Sequence, residues 1–278
     1  MLKPIATLCL PMVVLAASAF ALSACERQQE AMAPEPQSPP VAAVSPTPPQ
    51  PPQPVVDRAA LLEAMSVAAS AYAAGQEPAG EGLAGRRFVV RQVFGCGGPA
   101  PPRAADAPGD GVGRWSWSQD RKAVQIDLAP ADWSGSALIE GGDQSWEAAE
   151  GFWLLRPWQL SGGCPAVTAD PLASEPARPS PQSAGIAAVF DESSSRLGRR
   201  NGRAYTTALR GEDGAPPATT GGYRLVLEGR FTAFASGRAV RCRAASPDQR
   251  PVCIAAARVD RVAFEDASGA VLSEWRAG

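Results

Sequence analysis

The cysteine at position 25 has the sequence context in which a thiol does chemistry. It follows Leu22-Ser23-Ala24, and an apolar run from Ile5 to Phe20 comes before these residues. A charged start at Lys3, a short apolar run and small residues are the layout of a secretory signal peptide, and the run is too short for a comfortable transmembrane span. A cysteine thiolate is nucleophilic and forms a stable thioether. This layout therefore predicts a signal peptide that is removed on export.

Leu22-Ser23-Ala24-Cys25 resembles the bacterial lipobox, and the resemblance covers residues 1–26 only. In that family the cysteine sulfur receives a diacylglyceryl group, a peptidase cuts before the cysteine, and the new amine is acylated. The resemblance implies that Cys25 is lipidated and holds the protein in a membrane. Glu26 follows, where an aspartate would signal inner-membrane retention, so the resemblance implies the outer membrane, facing the periplasm. The alternative is an ordinary signal peptide in which Cys25 is incidental.

Four cysteines remain after Cys9 and Cys25 are set aside. They are Cys96, Cys164, Cys242 and Cys253. In an oxidising compartment an even number indicates two disulfides, with three possible connectivities. Cys242–Cys253 is the favoured pair because these residues flank a hairpin-like loop, which leaves Cys96–Cys164 by elimination. Zinc is the alternative, but it usually requires paired Cys or Cys/His spacing.

The chain contains no histidine, which excludes Ser-His-Asp and Cys-His catalysis and His-ligated metals. No nucleotide-binding glycine motif or calcium-loop spacing is found either, so we expect no cofactor and no metal site. Three carboxylates, Asp143, Glu147 and Glu150, lie close together in the sequence. Glycoside hydrolysis uses two carboxylates about 5–10 Å apart. A glycan-acting hydrolase that uses this group is therefore kept as an alternative.

Aromatic and basic groups offer two candidate binding surfaces. Trp115 and Trp117 alternate with serines on one predicted strand, and their rings could stack on sugars or pack in a core. Arg199, Arg200 and Arg203 cluster around an Asn-Gly turn. Arginine binds phosphate and carboxylate groups well, so these are candidate anion-binding residues. The alternative is a solvated hairpin neutralised by nearby acids.

Composition divides the chain into regions. Residues 25–56 are rich in proline, which favours an extended, disordered tether that spans at most ~90 Å. A helix plus β-rich region is predicted for 57–168, a linker or loop for 169–183, and a second β-rich region for 184–278. The formal net charge of −2 argues against nucleic-acid binding.

Hydrophobic periodicity predicts the elements. Asp57 is a candidate N-cap for a helix that runs to about residue 74, where Gly75 ends it. Strands are predicted over 86–94, 115–117, 124–128, 152–156, 186–190, 204–209, 223–234, 240–243, 252–264 and 271–275. Short strands with frequent turns predict an α+β fold, mainly antiparallel, with a sandwich or small barrel and two disulfides.

These patterns favour a non-enzymatic, lipid-anchored envelope protein that binds a partner protein or an envelope glycan. The alternatives are the hydrolase and an adaptor of an outer-membrane assembly that uses the first helix or a sheet edge. No second long apolar run is present, so the predicted membrane attachment is the lipid.

Overall fold

The first element of the folded body is a capped helix, α1 (Arg58–Ala73). The backbone N of Ala60 donates a hydrogen bond of 2.9 Å to the Asp57 carboxylate, and Gly75 follows the helix with φ 66°. Both predicted helix ends are therefore confirmed. The computed structural model describes residues 53–76, 82–104, 106–118, 120, 122–139, 146–165, 181–191, 203–211 and 221–276.

The chain enters this body slightly earlier than predicted. Val56 is buried, and its backbone N donates to Arg87 O while its carbonyl accepts from Val89 N, both at 2.9 Å. The predicted tether boundary is therefore corrected, because an apolar residue after the last proline can be buried against a strand. The predicted signal peptide (residues 1–24), Cys25 and residues 26–52 lie outside the described residues.

Eleven strands follow in the described part of the chain. They are β1 (Arg87–Phe94), β2 (Gly113–Trp117), β3 (Ala123–Leu128), β4 (Ala131–Asp132), β5 (Ala148–Trp153), β6 (Ala184–Phe190), β7 (Tyr205–Arg210), β8 (Tyr223–Phe231), β9 (Val240–Arg243), β10 (Val252–Glu265) and β11 (Val271–Arg276). The strand predicted over 152–156 corresponds to β5, which begins and ends earlier in the chain. Trp153 is the last residue of β5 that pairs with β6, and Leu154 follows it. The two-residue β4 was not predicted.

β10 organises the larger sheet, whose main path is β1-β8-β10-β6-β5-β4. The first half of β10 forms an antiparallel pair with β9 and a parallel pair with β6. The second half forms antiparallel pairs with β8 and β11. Residues 253–257 of β10 are small or apolar and are all buried, so the first half of β10 is covered on both faces. Strands from both sides of residues 169–183 thus share one sheet.

The smaller sheet has the order β2-β3-β7 and packs on the larger sheet through aromatic side chains. The Trp115 ring lies 6.1 Å from Tyr223, and the Trp275 ring lies 5.2 Å from Tyr205 and 5.3 Å from Phe264. α1 covers another part of the same core, with Leu61 and Met65 buried. The predicted α+β, mainly antiparallel class is confirmed, and the described sheets do not close into a barrel.

Two disulfides join distant parts of this body. Cys96 is bonded to Cys164, 68 residues later, and Cys242 to Cys253, 11 residues later. Both predicted pairings are present. The second pair lies directly opposite in the antiparallel register of β9 and β10.

Candidate functional site

The predicted stacking pair does not form an exposed platform. Trp115 is 3% exposed, and its indole N donates to Gly95 O at 3.2 Å. Trp117 is half-buried, and its ring meets the Trp115 ring at 82°, with 5.7 Å between the centroids. The two rings are therefore not coplanar, and Trp115 is a core residue. Burial of a large aromatic ring is favourable wherever the ring lies. Alternation along a strand therefore cannot distinguish a tryptophan that packs in the core from one that stacks on a sugar.

Of the predicted anion-binding arginines, the structure describes only Arg203. It is exposed and precedes β7, whereas Arg199 and Arg200 lie outside the described residues. The anion-binding group as a whole therefore stays a prediction.

The carboxylate group is partly brought together. Glu147 and Glu150 line one open concavity of about 630 Å³ with Asp132 and Trp133, while Asp143 lies outside the described residues. Glu150 is buried on β5, and Glu147 is exposed. Both carboxylates have interaction partners in the structure.

A different concavity has the properties of a binding site, and we name it the α1 groove. It has a volume of about 530 Å³. One wall is α1, with Leu62 and Met65 at its base and Glu63 and Ser66 at its rim. The opposite wall and the ends are formed by Pro157, Trp158, Leu160, Ser183, Ala184, Arg250, Pro251 and Cys253. This volume is within the range of small-ligand and peptide-anchor pockets.

Two large apolar side chains stand exposed on the wall opposite α1. Trp158 is 57% exposed and Leu160 is 60% exposed, although both have a groove beside them. Single exposed apolar residues are common on soluble proteins, but neighbouring ones that border a groove are typical of interaction sites. Trp is also enriched among residues that dominate binding energy.

Buried Arg58 holds this wall in place. Its guanidinium donates to the backbone oxygens of Leu155 at 2.8 Å, Arg156 at 3.1 Å and Gln159 at 2.5 Å. A fourth bond of 3.0 Å goes to the side-chain oxygen of Gln92 on β1. Arg58 therefore ties the start of α1 to the turn that carries Trp158.

The turn itself is bent at Arg156, which has φ 50°, an uncommon value for a residue with a side chain. The Arg156 guanidinium donates to Val93 O at 3.2 Å. Burial, and then the charge of Arg156, lower the pKa of Arg58, while burial lowers that of Arg156. Arginine stays protonated despite such shifts, so both side chains remain donors at all physiological pH values.

Sequence reasoning missed the α1 groove because its walls come from residues 62–69, 157–160 and 250–251. One local signal was available. Trp158 and Leu160 follow a proline and alternate with Gln159, and no predicted strand or helix buries them. That pattern indicates exposure but does not show which surface lies opposite.

Comparisons with known protein families, with curated proteins and with solved structures find no significant match. The described part of the chain has no helix long and apolar enough to cross a membrane. Nor do the described residues bring together three or more Cys, Asp or Glu side chains that could hold a metal ion.

Proposed function

We propose that this protein is a lipid-anchored, non-enzymatic protein of the cell envelope that binds a partner protein through the α1 groove. The observation that carries the proposal is the pair of exposed side chains, Trp158 and Leu160, beside a groove of about 530 Å³. The resemblance of residues 22–25 to the lipobox supports an acyl anchor at Cys25. Two or more acyl chains hold a protein firmly at a bilayer.

A protein segment fits the groove better than a glycan does. Its large apolar lining residues are Leu62, Met65 and Leu160, and Trp158 is the one aromatic residue of the lining. Sugar recognition relies on flat aromatic faces and many polar groups, whereas apolar anchors of a peptide are buried by surfaces of this kind. Exposed Glu63 and Arg250 at the rim can orient the polar groups that flank such anchors.

The groove also lies on the element that directly follows the tether. Val56 is paired with β1, and α1 begins two residues later. An adaptor of an outer-membrane assembly would use the same mode of binding, with an assembly subunit as the partner.

Photo-crosslinking in cells tests the proposal. A photoreactive phenylalanine analogue at position 158 or 160 is expected to give one discrete protein adduct. Ser66→Arg, at the exposed rim of the groove, should reduce the yield of that adduct about tenfold because the long side chain fills the groove. Val67→Arg adds the same side chain one residue later, where Val67 is exposed and outside the groove, and should leave the yield unchanged.

Equal effects of the two substitutions, or adducts only with carbohydrate, would contradict binding of a protein in the groove. Circular dichroism and thermal melting of both variants confirm that each is folded. Substitutions at exposed helix positions usually change stability by less than about 0.5 kcal/mol, so loss of the adduct through unfolding is not expected.

One observation favours the alternative of a glycan-acting hydrolase. Glu147, Glu150 and Trp133 border the same open concavity, which offers carboxylates beside an aromatic ring. Such an enzyme needs one carboxyl group with a raised pKa. Release of reducing ends from peptidoglycan by the native protein, with loss of that release in Glu150→Gln, would favour this alternative.

A further inference from the structure

Three arginines lie side by side on neighbouring strands of the larger sheet, and we name them the arginine row. Arg87 of β1 is directly opposite Arg230 of β8, and Arg230 is directly opposite Arg258 of β10. Directly opposed residues of antiparallel strands point to the same face. Because strands are about 4.8 Å apart, the row spans roughly 10 Å.

The row lies on the outer face of the sheet. The residues next to it along the strands, Phe88, Phe231 and Ala257, point to the main core and are buried. Arg87 and Arg230 are exposed, and the Arg258 side chain is 37% exposed. The row is therefore accessible among the described residues.

Like charges directly opposite one another destabilise a sheet, so this arrangement needs compensation. Arg258 pairs with Asp191 at 2.5 Å, and Arg230 donates to Gly85 O at 2.6 Å. Within the described residues, neither Arg87 nor Arg230 forms an ion pair with a carboxylate. Two of the three guanidinium groups in the row are therefore not compensated by a direct ion pair within the described residues.

The next row of the same face shows the contrast. Arg261 pairs with Glu228 at 2.5 Å and with Glu274 at 2.8 Å, so its charge is fully compensated. Exposed Asp260 lies in the bulge between the two rows. Glu274 also pairs with Arg276, which lies directly opposite Arg261. Each guanidinium of this second row therefore has a carboxylate, whereas Arg87 and Arg230 have none within the described residues.

The arginine row lies where the chain arrives from the tether. Arg86, next to Arg87, donates from its guanidinium to Pro54 O at 2.6 Å, and Val56 bridges to Phe88. The segment that leads from position 25 therefore joins the folded body beside the arginine row. If Cys25 is acylated, the row lies on the part of the body to which the tether is joined.

We propose that the arginine row docks on the anionic phospholipid headgroups of the membrane that holds the acyl anchor. This proposal rests on the lipid anchoring proposed above. Guanidinium groups bind phosphate with paired donors, and basic residues near an anionic leaflet are attracted to it. The row lies on an open sheet face, which suits the surface of a membrane better than it suits a small enclosed anion.

Three arginines alone bind such a surface weakly, but the tether changes the balance. A flexible linker that holds two binding elements together supplies an effective concentration on the order of millimolar. Electrostatic docking that would be too weak to detect in free solution is then populated. The consequence is an orientation of the body in which the face of the row is turned to the membrane.

Arginine footprinting on vesicles tests the docking. The lipidated native protein is reconstituted in vesicles of phosphatidylcholine alone or of phosphatidylcholine with 30 mol% phosphatidylglycerol, and phenylglyoxal modification is followed by mass spectrometry. Modification of Arg87, Arg230 and Arg258 should be about threefold slower on the anionic vesicles. Because salt screens the attraction, 0.5 M NaCl should remove this difference. Exposed Arg210, on β7 of the other sheet, should react equally on both.

Two variants complete the test. In Arg87→Ser/Arg230→Ser, the protection of Arg258 on anionic vesicles should disappear, whereas Arg210→Ser should retain it. Equal modification of the row on both kinds of vesicle, or protection that salt does not change, would overturn the docking alone. Failure of the native protein to float with neutral vesicles would instead overturn the acyl anchor and, with it, the docking.

Discussion

Replacing Cys96 and Cys164 together by alanine is expected to lower the free energy of unfolding by about 4.5 kcal/mol. The same change at Cys242 and Cys253 should lower it by about 3 kcal/mol. The two disulfides close loops of 68 and 11 residues, and the entropy that a crosslink removes from the unfolded chain increases with loop length. Urea denaturation followed by tryptophan fluorescence measures both values.

The loss of the Cys96–Cys164 bond should also affect binding. It ties residue 164, four residues after Leu160, to the end of β1. We therefore expect the wall of the α1 groove to loosen when this bond is removed. A larger loss of stability from the short-loop pair than from the long-loop pair would contradict the loop-entropy explanation.

Arg58→Met is expected to destabilise the protein by about 3 kcal/mol and to abolish the adduct at position 158. The substitution keeps most of the apolar stem but removes the donors to four oxygens, those of Leu155, Arg156 and Gln159 and the side chain of Gln92. A buried acceptor left without its donor costs about 1–3 kcal/mol, although some of these oxygens can regain water. Chemical denaturation and the crosslinking yield are the two measurements.

Arg210→Met is the matched control for this change. Arg210 is exposed at the end of β7, so its replacement should change stability by less than about 0.5 kcal/mol. If Arg58→Met were as mild as Arg210→Met, or if it lowered stability but left the adduct intact, Arg58 would not position the wall that carries Trp158.

Elements whose determinants are local were predictable from the sequence. Asp57 and Gly75 determine the ends of α1, and the alternation of Val124, Ile126 and Leu128 gives the register of β3. The pairing of Cys242 with Cys253 followed from a short loop between two strands. In each case the residues that determine the structure lie close to one another in the sequence.

Features that depend on distant contacts were not predictable. β6 is buried on both faces, so its apolar run does not indicate that it pairs in parallel with β10. The arginine row needs the register of three strands, two of which are more than 130 residues from the first. Trp115 was a stacking candidate because alternation cannot show that the smaller sheet turns this residue towards Tyr223.

In the proposed function, an acyl group at Cys25 decides where the whole molecule works. Its presence is measured most directly by mass spectrometry of the N-terminal peptide of the protein isolated from its native membranes. The account predicts a mature chain that begins at Cys25 and carries thioether-linked diacylglycerol. An intact leader, or an unmodified thiol at Cys25, would contradict it.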